Sequence, residues 1–300
     1  MGTKKETIGL IGVGLVGTVL AEHLLTRGYA VTGYDIDPAA CHRLAGMGGR
    51  VARNPREVAA AVSFLLLSLP DTSVVRQVLE GPAGVDSAPQ LPSYILDTTT
   101  GDPDETSALA ARLQSRGVSL LDVTICGASS QLHDRKAILM VGGARNAFDA
   151  CQTLLAALAD RTFYVGPSGS GSRCKLATNL VLGLNRLVLT EGMVFAERLG
   201  LDPATFLEIL RAGPAYSVAV DVKGQKLLRG DFSPDSRIRQ HHKDVTLMLK
   251  YADDAGQDLP LTRVHLDILA SAMAAGEGDL DTCAVIKEIR RRVAALTPRK

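Results

Sequence analysis

Paired cysteine is the first thing missing from this 300-residue chain. Its five cysteines, Cys41, Cys126, Cys151, Cys174 and Cys283, are scattered, odd in number and free of C-x-x-C or metal-ligand spacing. Neither a disulfide framework nor a metal site is expected, and the set reads as reduced thiols of a cytoplasmic protein. Excess charge is missing too. A formal net charge of +1 gives no support for nucleic-acid binding. The basic cluster Arg290-Arg291-Arg292 reads as the solvated end of a helix. No charged segment followed by an apolar core opens the chain, so no secretory leader is expected. The most apolar stretch, near 176–199, carries Asn179, Asn185, Arg186 and Glu191. It reads as a buried helix rather than a membrane span. Repeats and low-complexity segments are absent. What is present, 46% hydrophobic and 22% charged residues, builds a globular chain of about two domains.

The first half alternates short apolar runs with helical patterns. Strands are expected at 8–11, 30–34, 62–69, 94–97, 119–124, 137–141 and 162–165, with helices at 15–27, 38–46, 55–61, 71–80, 103–116 and 146–158. The run Ser63-Phe-Leu-Leu-Leu-Ser-Leu69 is apolar on both faces, which marks a central parallel strand covered by helices on each side. Asp102-Pro103 pairs an N-cap with proline in the first helical position. The β-α-β-α-β order predicts a doubly wound parallel sheet. After Gly166 strand signals stop, and helices are expected at 171–199, 203–211, 214–229, 236–256, 260–275 and 281–296. The fold expected is α/β: an N-terminal doubly wound domain over 1–167 and an all-α domain over 168–300, joined by a long interdomain helix. That helix, ~43 Å at 1.5 Å per residue, is apolar on most sides, which suits a homodimer or homotetramer.

Two motifs carry chemistry. Gly12, Gly14 and Gly17 fit G-x-G-x-x-G between a strand and a helix. The first glycine makes the turn, the second lets a pyrophosphate reach the backbone, and the third lets helix pack on strand. The helix N-terminus at Leu15 and Val16 then favours the phosphates. The second strand ends in Gly33-Tyr34-Asp35, with Ile36 next. Asp35 stands about where the acid that holds the adenosine ribose hydroxyls belongs, and a carboxylate there favours NAD over NADP. The second motif is Gly166-Pro-Ser-Gly169-Ser-Gly171-Ser-Arg-Cys-Lys175-Leu-Ala-Thr-Asn179. Lys175 and Asn179 share one helix face at i,i+4. An amine inside an apolar segment is either a member of a structural ion pair, with Glu191 or Asp244 as partner, or a proton-transfer group.

These blocks, with five more, resemble the β-hydroxyacid dehydrogenases of the 6-phosphogluconate dehydrogenase superfamily. That family includes 3-hydroxyisobutyrate dehydrogenase and tartronate semialdehyde reductase. Leu69-Pro70-Asp71, Asp97-Thr98-Thr99-Thr100, Asp122-Val-Thr-Ile-Cys126-Gly127-Ala128, Met140-Val-Gly-Gly143 and Lys243-Asp244 match the remaining family blocks, and the resemblance covers nearly the whole chain. It implies an oxidoreductase that moves a hydride between NAD and a 3-hydroxy acid. Lys175 would be the general acid/base and Asn179 its aligner. Cys126, Gly127, Ala128 and Thr100 would hold polar groups of the substrate. Gly12, Gly14, Leu15, Val16, Gly17, Asp35, Ile36, Leu69, Pro70, Thr100 and Lys243 would hold the cofactor, and no metal is implied. The other readings are a reductase of an unusual carbonyl or imine substrate, against which Lys175 argues, and a dinucleotide-binding sensor without catalysis.

The chain departs from the family in its substrate loop. Cys126 replaces a serine whose hydroxyl and the two following N–H groups receive a carboxylate. A thiol is the poorer donor, so Gly127 and Ala128 N–H should carry more of that task. Gln131 and Arg135 replace glycines, and His133 adds a polar group. His133, Arg135 and Lys136 are candidates for an anionic substrate tail or for a solvated loop. His241-His242 reads as a pair of exposed helical histidines.

Overall fold

Apolar alternation in the strands decides the architecture. In the computed structural model, which describes residues 6–296, eight strands form one sheet: β1 (Thr7–Ile11), β2 (Ala30–Tyr34), β3 (Arg50–Val51), β4 (Phe64–Leu67), β5 (Tyr94–Asp97), β6 (Ser119–Cys126), β7 (Ile138–Gly142) and β8 (Arg161–Gly166). Their order is β3-β2-β1-β4-β5-β6-β7-β8. Between them run α1 (Leu15–Thr26), α2 (Pro38–Gly46), α3 (Pro55–Ala59), α4 (Thr72–Glu80), α5 (Pro103–Gln114), α6 (Ser129–His133), α7 (Arg145–Ala150) and α8 (Gln152–Leu158). After them come the long α9 (Ser170–Arg198), then α10 (Pro203–Ala212), α11 (Val218–Arg229), α12 (Ile238–Asp254), α13 (Pro260–Ala274) and α14 (Val285–Leu296).

The chain divides into two compact units, Met1–Lys175 and Leu176–Lys300, so the division falls inside α9. In the first unit, neighbouring residues of one strand feed opposite cores. Leu66, Leu96 and Leu121 join Ile8, Leu10 and the α1 and α8 leucines on one face. Leu65, Leu67, Ile95 and Leu120 meet α3, α4 and α5 on the other. This two-sided burial is what a parallel strand in a doubly wound sheet requires. Asp37, Asn54, Asp71 and Asp102 each accept a backbone N–H at the start of the helix that follows. The second unit buries its own core around Met193, Leu207, Val245, Met248 and Leu269. Among the described residues α9 is the one helix long and apolar enough to cross a membrane by length and composition, and 50% of its most apolar window is buried.

Three local expectations change. β7 runs antiparallel to β6, because residues 127–137, with only the short α6 between the strands, cannot make the long crossover a parallel pair needs. The expected helix over 146–158 is two helices that break at Cys151. The two-residue β3 edge strand is too short to leave an alternating pattern in the sequence.

Candidate active site

The expected cofactor and substrate-loop residues of the first unit stand at the carboxyl ends of the strands. β1 ends at the glycine turn, β2 at Asp35, β4 before Leu69 and Pro70, β5 before Thr98–Thr100 and β6 at Cys126. The switch point lies between β1 and β4, where strand order reverses, and this is where an open α/β sheet takes its ligands.

The glycine turn separates into scaffold and opening. Gly12 sits at φ +90, and a Cβ on it would overlap Ser68 O of the β4 loop. A Cβ on Gly17 would overlap Gly12 O. A Cβ on Gly14 would meet nothing within 4 Å. The first and third glycines are therefore demanded by the fold, and the second faces open space, as a backbone cradle for a pyrophosphate should. Val13 N donates to Asp35 Oδ2 at 2.6 Å, which ties the turn to the end of β2. Beside it lies a pocket of about 540 Å³ lined by Tyr34, Asp35, Ile36, Cys41, His42 and Val51. Ile36 is 89% exposed there, an apolar surface of the kind an adenine ring covers. These residues fit an adenine dinucleotide.

Lys175 is built into the first unit from below. Asp122, on β6, is buried and accepts from Gly169 N at 3.1 Å and Ser172 N at 2.9 Å. Its carboxylate thus caps the first turn of α9 from a distant strand. Burial pushes the Asp122 carboxyl above its usual range, with the Ser172 and Gly169 N–H groups pulling the other way. Thr124 Oγ1 stands 2.9 Å from Gly171 O. A Cβ on Gly171 would overlap Asp122 O, and one on Gly142 would lie 2.7 Å from Gly171 N. The glycines of the 166–171 block let helix and strand touch. One turn on, Lys175 is 7% exposed and its Nζ donates to Ile125 O at 2.6 Å, the residue before Cys126.

In the second unit, Asn179 Nδ2 donates to Asp244 Oδ2 at 3.0 Å, and Lys243 Nζ lies 3.2 Å from Asp244 Oδ1. Sequence reasoning matched Lys243-Asp244 as a block but missed that Asp244 holds Asn179. The expected exposure of the histidine pair is corrected. His241 is buried at 5%, its ring 5.0 Å from that of His265, because Gly183 on α9 leaves room for both rings. Burial, with Arg186 nearby, lowers the His265 pKa to about 4. Among the described residues no group of three or more His, Cys, Asp or Glu could hold a metal ion.

The substrate loop also differs from expectation. Ala128 N donates to Gln131 Oε1 at 3.0 Å, so this N–H turns into the loop rather than standing ready for a carboxylate. The three-residue spacing of a back-capping glutamine could have signalled it. Arg135 sits at φ +60. Its guanidinium donates to Ala156 O, Ala157 O and Asp160, clamping the carboxyl end of α8. His133 and Lys136 are exposed beside Asp134.

Comparison with known proteins gives these features relatives. Residues 7–166 match the family described as the NAD binding domain of 6-phosphogluconate dehydrogenase. Residues 169–289 match NAD-binding of NADP-dependent 3-hydroxyisobutyrate dehydrogenase. The chain is 31% identical over 285 residues to 2-(hydroxymethyl)glutarate dehydrogenase of Eubacterium barkeri, covering 95% of each. It is 29% identical to 2-hydroxy-3-oxopropionate reductase of Escherichia coli (strain K12), covering 94% of this chain and 96% of that one. It is also 27% identical to the cytokine-like nuclear factor N-PAC of Homo sapiens, of whose length it spans about half, 51%. The solved 3-hydroxyisobutyrate dehydrogenase from Salmonella typhimurium superposes with a TM-score of 0.87 at 27% identity, over 94% of this chain and 99% of that one.

Proposed function

The chain belongs to the β-hydroxyacid dehydrogenase family, and from that premise we propose that it interconverts a 3-hydroxy acid and its semialdehyde with Lys175 as the general acid/base. The observation that carries this reading is the Lys175 amine, withdrawn from water and set 2.6 Å from Ile125 O, directly before the Cys126–Ala128 loop at the carboxyl edge of the sheet.

The glycine turn with Leu15 and Val16, Asp35 and Ile36, Leu69, Pro70 and Thr100, and Lys243 would hold the dinucleotide, which supplies the hydride acceptor when bound. The protein handles the proton. In oxidation a neutral Lys175 takes the hydroxyl proton as the hydride leaves the same carbon. In reduction its ammonium returns a proton to the developing alkoxide and stabilises that charge. Asn179, one turn further along α9, aligns the proton path. Cys126 Sγ and Gly127 N–H receive the substrate carboxylate, Ala128 N–H being engaged by Gln131.

The substrates in the relatives' names share a hydroxymethyl or formyl carbon one carbon away from a carboxylate. A panel of 3-hydroxyisobutyrate, 2-(hydroxymethyl)glutarate and 2-hydroxy-3-oxopropionate, followed at 340 nm, tests the reading. Turnover of at least one, abolished by Lys175→Ala with dinucleotide affinity retained, is the expected result. Dinucleotide binding with no turnover of any would leave a sensor. For the cofactor, Asp35 repels a 2′-phosphate and favours NAD, while His42 lines the same pocket and Arg43 reaches Val13 O at 3.4 Å. Asp35→Ala should therefore raise kcat/KM with NADP relative to NAD, and an unchanged ratio would refute the preference. The exposed stripe Val181, Val188 and Phe195 along α9 supports a homo-oligomer, and light scattering after size exclusion reads its mass directly.

A further inference from the structure

An amide in a proton path has two ends, and which end it presents decides its chemistry. Asn179 and Asp244 are 6% and 5% exposed, so neither turns freely into water. Asn179 Nδ2 lies 3.0 Å from Asp244 Oδ2, and the other oxygen of Asp244 is 3.2 Å from Lys243 Nζ. An ionised carboxylate only accepts hydrogen bonds. Asn179 must therefore give it the NH2 end, which turns Oδ1 the opposite way. The spacing of the helices that makes this reach possible is set one turn on. A Cβ on Gly183 would sit 2.8 Å from His241 Cε1 and 2.9 Å from His265 Cε1, so the two rings pack directly against the α9 backbone there, His241 three residues before Asp244 on α12.

We propose that Asp244 is a positioning residue that fixes the Asn179 amide so that Oδ1 is the end presented on the face of α9 shared with Lys175. Asn179 is then an acceptor in the reaction. It takes a hydrogen bond from an N–H or O–H and does not donate to a carbonyl oxygen. Without the carboxylate the amide samples both orientations, and the one that presents Nδ2 points donors at a donor. This inference rests on the assignment of Lys175 as the acid/base.

A double-mutant cycle tests it. Wild type, Asp244→Asn, Asn179→Ala and the double variant are compared on whichever of 3-hydroxyisobutyrate, 2-(hydroxymethyl)glutarate or 2-hydroxy-3-oxopropionate the wild type turns over, with Lys175→Ala run beside them. At saturating dinucleotide Asp244→Asn should lower kcat about 10–100-fold, the scale of a small misplacement at a reacting centre; a rise in the dinucleotide KM reports Lys243, which Asp244 also pairs. In the Asn179→Ala background the same change should alter kcat by less than about 2-fold, because a residue that acts through another has nothing left to orient. Asp244→Ala repeats the cycle without an amide at 244, so the result does not hang on one variant's folding. Equal fold-losses in both backgrounds would overturn the proposal while a dead Lys175→Ala leaves the acid/base assignment standing. A Lys175→Ala enzyme that still turns over would remove both.

Discussion

Replacing Asp122 with Asn keeps the shape of the carboxylate and removes its capacity to accept at both ends. In the native protein Oδ1 takes Gly169 N–H and Oδ2 takes Ser172 N–H, both out of water. Hydrogen bonds to a charged group are worth about 1.5–3 kcal/mol each, so the pair is worth roughly 3–6 kcal/mol. In Asp122→Asn one bond survives as a neutral contact of about 1 kcal/mol, and the other becomes a donor facing a donor. Part of the loss returns, because burial already holds the Asp122 carboxyl above its usual range. The charge is costly in that site, and removing it is itself favourable. The net loss expected is about 2 kcal/mol, or roughly 4–8 °C in Tm at about 2–4 °C per kcal/mol for a domain of this size. The first turn of α9 loosens with it, and Lys175 lies on the next turn, so kcat should fall about 10-fold or more. Circular-dichroism melts and the 340 nm assay read both effects. A variant that melts within about 1 °C of wild type with unchanged kcat would refute the claim that Asp122 sets the lysine.

Gly12→Ala and Gly14→Ala should separate. The first overlaps Ser68 O and should lower Tm, whereas the second meets nothing and should leave Tm unchanged while weakening NADH binding, read by fluorescence titration. His265 has its folded pKa lowered from 6.5 to about 4, so the unfolded chain binds the proton first. Stability from this group is full above pH 6.5 and lost as pH falls toward 4, by up to ~3 kcal/mol, and urea unfolding should show a flatter pH dependence in His265→Gln. Arg135→Lys keeps the φ +60 backbone but loses the guanidinium fork, whereas Arg135→Gly also relieves about 1 kcal/mol of strain. The glycine variant should melt above the lysine variant, and the reverse order would sink that account.

How much of this was legible in the sequence depends on the range of the forces involved. The two-sided leucines of β4 and the Asp-Pro helix start are local, and the structure shows both where the sequence puts them. The glycine turn is local too, although only the coordinates show that Gly12 and Gly17 serve the fold while Gly14 faces open space. His241 misled the sequence reading because its neighbours on α12 are polar. Its burial is decided by Gly183 and His265, which come from two other helices. Asp122 and Asp244 were legible as members of motifs but not as functional parts. Each acts on a residue roughly fifty or more positions away, and no pattern along the chain encodes that distance.

The substrate loop carries the same lesson into specificity. Three of its unusual residues, Gln131, Arg135 and His133, looked in sequence like polar groups added around a pocket. The coordinates give two of them to the scaffold: Gln131 binds Ala128 N, and Arg135 clamps the end of α8 at a φ that favours glycine. A glycine-to-arginine change that keeps the left-handed backbone conserves the loop path and adds a clamp, so it rigidifies the loop rather than reshaping it. His133 points at its own neighbour Asp134. What remains different at the end of β6 is chemical and small, a thiol at 126 and an N–H at 128 bonded within the loop. If this loop receives the substrate carboxylate as proposed, both would weaken its grip without adding bulk. The physical expectation is a site of ordinary shape and reduced carboxylate affinity, in which a high KM for small 3-hydroxy acids comes from missing donors rather than from a blocked pocket.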